Sequence, residues 1–260
     1  MENKTKNKII VFIHGLFMNP VSWASWVTFY EERGFICYSP GYQFHEGNPG
    51  TLRNMINPDL GKLTFGKVIN RLSAYIDSLP EQPILIGHSM GGLVVQKLIE
   101  MNKGTAGICI DPAPPAGIFS FKWSFLRANI PTVNPLRGNS VCLPGLNWFH
   151  YAFCNTMTME ETEKKYNQYV VPESRNIARS STKQDGKIDF SKPHKPLLFI
   201  AGEKDNIVPS SLIKKNYDAY DVKNGKIDFR QFENRTHFIC GQPNWEEVAK
   251  YIYEWIGTLQ

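Results

Sequence analysis

The sequence predicts an α/β fold, with about six parallel strands in one sheet, helices on both faces, and an insertion between two core strands. Three observations lead there. Short β-rich apolar runs alternate with longer segments of helical periodicity through both halves of the chain, as strand–helix–strand crossovers do. The first run, Ile9 to Ile13, is apolar at every position, which is how a strand covered on both faces reads. The rhythm stops between residues 113 and 192 and then resumes. A length of 260 residues, 42% of them hydrophobic, suits one such domain over residues 1–260 with an inserted cap at 113–192.

In order, Ile9 to Ile13 form the first strand, ending at His14-Gly15. It starts so early that a preceding hairpin is not expected, hence a trimmed sheet. Asn19-Pro20 offers a cap and a first-turn proline for a helix carrying Val21, Trp23, Trp26, Phe29 and Tyr30. Gly34 precedes a strand from Phe35 to Tyr38. Residues 64–79 open on Thr64 and bury one stripe: Val68, Ile69, Leu72, Tyr75, Ile76 and Leu79. Strand Ile84–Ile86, a helix through Leu98 and strand Gly107–Ile110 follow. After the break come strand Leu197–Ala201, helix Ser210–Tyr220, strand Ile227–Phe232 and helix Trp245–Ile256. Within the break, prolines and aromatics abound, Glu160 to Tyr169 reads as a polar helix, and Ser180 to Asp189 as a loop. Because it starts and ends at sheet strands, the whole must leave the sheet and return as a cap.

Net charge is +5, spread without a basic stripe; the densest spots are Lys4, Lys6 and Lys8, and Lys192 with Lys195. Solvated lysines rather than a nucleic-acid face are expected. The five cysteines are odd in number and lack a C-x-x-C pair, so neither a disulfide framework nor a metal site is expected. Met1 to Lys8 have no apolar signal-peptide core, and no run is long enough to span a bilayer. The expectation is a cytoplasmic protein, in which the glycosylation patterns at Asn3 and Asn234 are chance matches.

The chemistry centres on Gly87-His88-Ser89-Met90-Gly91, a G-x-S-x-G between a strand and a helix. A sharp strand-to-helix turn lifts the serine into a strained position, and side chains at the flanking glycines would clash. It also leaves Ser89 at a helix amino terminus, where free N–H groups favour a developing oxyanion. A serine hydroxyl needs a base, and the base an orienting acid. Of six histidines, His14 and His88 sit too close to the turn, His45 and His150 lie in loops, and His194 precedes a strand. His237 follows the last strand, at the sheet edge where the serine turn opens. The acid is Asp205, in the run Gly202 to Pro209, or Asp111 after strand Gly107–Ile110; both occupy carboxyl edges, and Asp205 is favoured by its motif. Asp111 then shapes the start of the cap or the pocket floor.

His14-Gly15, Gly87–Gly91, the G-x-x-D-x-x-V-P run at Asp205 and the late His237 together resemble the α/β-hydrolase superfamily, over residues 9–256 and outside the cap. Residues His14 to Trp23 resemble small bacterial hydrolases and, less closely, methyl-ester hydrolases and hydroxynitrile lyases. The resemblance implies an oxyanion hole from the backbone N–H groups of Leu16 and Met90, with Phe17 as the fallback donor. The chain lacks the H-G-G-G run of many esterases. The expected activity is hydrolysis of a small-molecule carboxylic ester, thioester or lactone through an acyl-Ser89, with His237 as base, Asp205 as orienting acid and no cofactor or metal. Trp123, Phe125, Trp148 and Phe149 of the cap are the expected acyl contacts, with Phe17. Competing readings are a lyase or carbon–carbon bond hydrolase on the same residues, and a ligand receptor of slow turnover.

Overall fold

The computed structural model describes residues 8–259. The expectations for Lys4, Lys6, the Asn3 pattern and the amino-terminal segment thus fall on residues 1–7, outside the described residues. The chain runs β1 (Ile9–Ile13), a 3-10 turn (Pro20–Trp23), α1 (Ala24–Glu31), β2 (Ile36–Tyr38), α2 (Pro49–Asn54), α3 (Phe65–Asp77), β3 (Ile84–His88), α4 (Met90–Glu100) and β4 (Ala106–Ile110). Then come α5 (Trp123–Val133), β5 (Val141–Cys142), α6 (Leu146–Phe153), α7 (Met159–Tyr169), β6 (Glu173–Ser174) and α8 (Arg175–Ser181). The core resumes with β7 (Leu197–Gly202), α9 (Ser210–Asp218), β8 (Ile227–Phe232) and α10 (Glu246–Gly257).

Six strands form one parallel sheet in the order β2-β1-β3-β4-β7-β8. Alternation of side chains explains why the central strands β1, β3, β4 and β7 are buried along their whole length, whereas edge strand β8 carries Asp228, Arg230 and Gln231. Ile9, Val11 and Ile13 enter one core layer with α3 and α4, while Ile10 and Phe12 enter the other with Trp26 of α1 and Trp255 of α10. The order reverses between β1 and β3, so the loops after these two strands open side by side at the carboxyl edge.

Element ends follow local chemistry. Asn19 accepts a hydrogen bond from the Val21 N–H at 3.2 Å, and Thr64 one from Lys67 at 3.4 Å, capping the segments the sequence marked. The first expected helix begins as a 3-10 turn at Pro20 and becomes α-helical only at Ala24. Helix α2 was missed although Asn48-Pro49 repeats the Asn-Pro signal; the Asn48 side chain accepts from Gly50 at 2.8 Å and Thr51 at 3.3 Å. The expected loop 180–189 needs correction: α8 includes Ser180 and Ser181, and a 3-10 turn forms at Gln184–Gly186.

The segment between β4 and β7 carries four helices and the antiparallel pair β5–β6. It is tied to the sheet domain by the Val171 N–H donating to Phe17 O at 2.9 Å and by the Phe238 N–H donating to Phe153 O at 3.0 Å. A buried ion pair adds to this, His45 Nε2 to Glu173 at 3.1 Å. Burial pushes the His45 imidazole down, but the Glu173 carboxylate, the Gln43 carbonyl and Glu46 together push it up by more, so it stands above the ordinary histidine value. No helix among the described residues is long and apolar enough to cross a membrane.

Candidate active site

Ser89 sits between β3 and α4 with φ 56° and ψ −120°, a conformation L-residues avoid. Neighbouring backbone imposes it. A Cβ on Gly87 would lie 2.2 Å from Gly91 O, and one on Gly91 would lie 2.2 Å from Ile13 O. Both flanking positions therefore require glycine, and α4 starts hard against the end of β1. Phe17, Asp111 and Asn234 also take positive φ, so strain concentrates in the loops of the carboxyl edge.

His237 lies between β8 and α10, fully buried. Its Nε2 is 2.8 Å from Ser89 Oγ and its Nδ1 2.6 Å from Asp205 Oδ2. Asp205, in the loop after β7, accepts the N–H groups of Ile207 at 2.7 Å and Val208 at 2.8 Å on its other oxygen, Oδ1. Burial holds the His237 imidazole well below the ordinary range, at about 3, and so keeps it neutral. Burial pushes the Asp205 carboxyl up, opposed by the N–H groups of Val208 and Ile207. The tautomer with Nδ1–H toward Asp205 leaves an Nε2 lone pair facing the serine hydroxyl, an arrangement able to take its proton.

Asp111 does not touch His237. It accepts the Gly202 N–H at 2.7 Å, tying the end of β4 to β7. Burial first, then the neighbouring Asp205, push its carboxyl well above the usual range. It stands at the start of the segment between β4 and β7 but does not line the cavity, which corrects the expectation of a pocket floor. Two histidines set aside as bases have structural work that sequence reasoning missed. His88 Nε2–H donates to His237 O at 2.7 Å and so holds the loop that carries the imidazole. His14 donates from Nδ1 to Gly15 O at 2.9 Å and accepts the Tyr42 N–H at 3.2 Å, setting the loop that carries Leu16. Burial lowers His14 to about 3, helped by His45. Only the adjacency of these histidines to the two loops hinted at such a role.

His88, Asp111 and His237 bring ligating atoms within 4.8 Å of one another. Both His237 nitrogens and His88 Nε2 are already committed to protein partners, so the cluster offers a metal few free lone pairs.

Ser89 opens on a cavity of about 360 Å³, lined by Leu16, Phe17 and Met90 from the sheet loops and by Phe125, Trp148 and Ile207 among others. Among the described residues no charged side chain lines it. Met90 is the first residue of α4, and among the described residues no acceptor engages its N–H or those of Leu16 and Phe17. Phe17 meets Trp148 edge to face at 5.5 Å. Two expected contacts are corrected. Phe149 is fully buried among Phe153, Tyr166 and Phe238 and does not line the cavity. Trp123 points into solvent from the first residue of α5 and does not reach the cavity either.

The folds of known proteins agree with this layout. An extracellular alpha/beta-hydrolase from a Paenibacillus species, described as sharing structural and functional homology with tobacco salicylic acid binding protein 2, superposes with a TM-score of 0.72. It is 20% identical, over 95% of this chain and 98% of its own. A monoacylglycerol lipase from Paleococcus ferrophilus gives a TM-score of 0.69 at 19% identity, over 97% and 95% of the two chains. A methylesterase from Arabidopsis gives 0.68 at 14% identity, over 96% and 99%. At these identities the likeness establishes the fold. No curated protein matches the chain by sequence. The model of the alpha/beta hydrolase family matches residues 10–251, and with it the chain is placed: it belongs to the alpha/beta hydrolase family.

Proposed function

We propose that this protein is a serine hydrolase that cleaves a carboxylic ester with an apolar acyl group. One observation carries the reading: the strained Ser89 hydroxyl, 2.8 Å from the Nε2 of a buried His237 that is held by Asp205, opens on an uncharged cavity. Solved neighbours named a monoacylglycerol lipase and a methylesterase accord with ester chemistry. In the proposed reaction His237 takes the Ser89 proton as Oγ adds to the ester carbonyl. The N–H groups of Leu16 and Met90 stabilise the oxyanion, with Phe17 as the alternative to Leu16. Collapse breaks the bond to the alcohol, which leaves with the proton from His237. Water then gives its proton to the same nitrogen, adds to the acyl carbonyl, and releases the acid and free Ser89. Residues 113–192 act as the cap, with Phe125, Trp148 and Phe17 against the acyl chain, which keeps bulk water from the acyl pocket while the hydrolytic water reaches Ser89.

The test is labelling with a fluorophosphonate probe, located by peptide mass spectrometry, beside a panel of nitrophenyl esters. Expected are a single adduct on Ser89 and turnover that falls by about 10³-fold or more in folded Ser89→Ala. Comparable turnover by folded Ser89→Ala would overturn the serine mechanism. Labelling without turnover of any ester in the panel would overturn the ester assignment.

A further inference from the structure

The cap carries an apolar, basic face that the proposed reaction does not use. Phe119 is 52% exposed, Phe121 80%, Trp123 72%, Ile130 56% and Leu136 92%, a concentration of bare large side chains within one short stretch. On α5, Trp123, Arg127 and Ile130 fall at i, i+4 and i+7, one helix face, while Ala128 and Thr132 on the opposite side are buried. The rings of Phe119 and Phe121 meet edge to face at 5.0 Å, and Lys215 Nζ lies 5.6 Å over the Phe119 ring. Phe119 and Ile130 belong to both surfaces, because they also line the cavity onto which Ser89 opens.

Charge identifies the occupant. No Asp or Glu occurs between Pro112 and Met159, whereas Lys122, Arg127 and Arg137 do. Among the described residues none of these three, nor Lys215, has an acidic partner within 4.0 Å. An anionic occupant would match all four. Exposed aromatic rings beside cations that lack an acidic partner, Arg127 among them stacked over the Tyr151 ring at 4.0 Å, suit the boundary between acyl chains and anionic headgroups.

We propose that this face docks the protein on an anionic lipid surface, with Phe121, Trp123 and Leu136 inserted at the headgroup boundary and Lys122, Arg127 and Arg137 against the headgroups. Docked in this way, the cavity mouth at Phe119 and Ile130 faces the lipid. Docking itself does not depend on the ester reading, and its test reads binding rather than turnover.

The experiment is co-sedimentation of the full chain with vesicles of phosphatidylcholine, alone or with phosphatidylglycerol, at low and high salt. Quenching of tryptophan fluorescence by doxyl-labelled lipid is followed in parallel. Binding is expected on the anionic vesicles only, weakening with salt. It should fall about tenfold or more in Phe121→Ser/Leu136→Ser and in Lys122→Glu/Arg137→Glu, with unchanged thermal melts. Quenching should vanish in Trp123→Phe, since the other tryptophans are buried or half-buried. Four results would overturn the proposal: no sedimentation with anionic vesicles, equal binding to zwitterionic ones, binding or quenching indifferent to these substitutions, or self-association abolished by them. The last would make the face a contact between copies of this chain.

Discussion

Replacing Asp205 with asparagine tests the orienting role proposed for a single oxygen. In the folded protein Oδ2 faces His237 Nδ1 at 2.6 Å, while Oδ1 accepts two backbone N–H groups at 2.7 and 2.8 Å. An asparagine must put its oxygen on one side and its NH₂ on the other. Turning the NH₂ toward Ile207 and Val208 would set donors against donors and forfeit two hydrogen bonds, at about 1–3 kcal/mol each. The amide therefore keeps its oxygen on the loop and donates to Nδ1, which forces the proton onto Nε2. That nitrogen then cannot take the Ser89 proton. The expected loss in kcat/KM is about 10⁴-fold, or about 5.5 kcal/mol at about 1.4 kcal/mol per decade. Asp111→Asn keeps the bond from Gly202 and replaces an oxygen that has no partner, so its loss should stay within about tenfold. The assay is hydrolysis of nitrophenyl butyrate, with thermal melts as control. Asp205→Asn activity within tenfold of the native protein, or a folded Asp111→Asn that is the more damaged of the two, would refute the reasoning.

Phe125→Ala and Trp148→Ala should shift the ratio of kcat/KM for octanoyl over acetyl esters severalfold, whereas Trp123→Ala should leave it unchanged and Phe149→Ala should cost about 3–5 kcal/mol of stability. An equal shift in Trp123→Ala, or none in the two cavity residues, counts against the cavity as acyl site. Because burial keeps His237 neutral to about 3, the acid limb of kcat/KM should fall below pH 6, the base-competent form persisting where an ordinary histidine is already protonated. A limb at pH 6.5 or above would contradict that environment. His45 stands above its ordinary value through Glu173, so the stability from this pair is full below about pH 6.5 and is lost as pH rises through the raised value. Melts from pH 5.5 to 9 should show the decline, and Glu173→Gln should lower stability by about 3–5 kcal/mol at pH 6 and flatten the dependence.

What the sequence by itself determined was local: the apolar strands, the caps at Asn19 and Thr64, and the glycine-flanked turn at Ser89. Each rests on sterics, periodicity or a hydrogen bond within a few residues, and such terms are legible along one chain. Asp205 and Asp111 read alike at that level, since both follow strands at the carboxyl edge. Only the packed sheet, with β7 between β4 and β8, brings one carboxylate to His237 and turns the other to the Gly202 N–H. The same holds for His88, whose partner carbonyl lies 149 residues away. It holds also for the segment between β4 and β7, where α6 buries Phe149 and offers Trp148 to the cavity one position earlier. One residue of helix turns a side chain through about 100°, so a rotation of α6 by that angle would put Phe149 where Trp148 now stands. That rotation is set by what the helix packs against, and no periodicity within the helix encodes it.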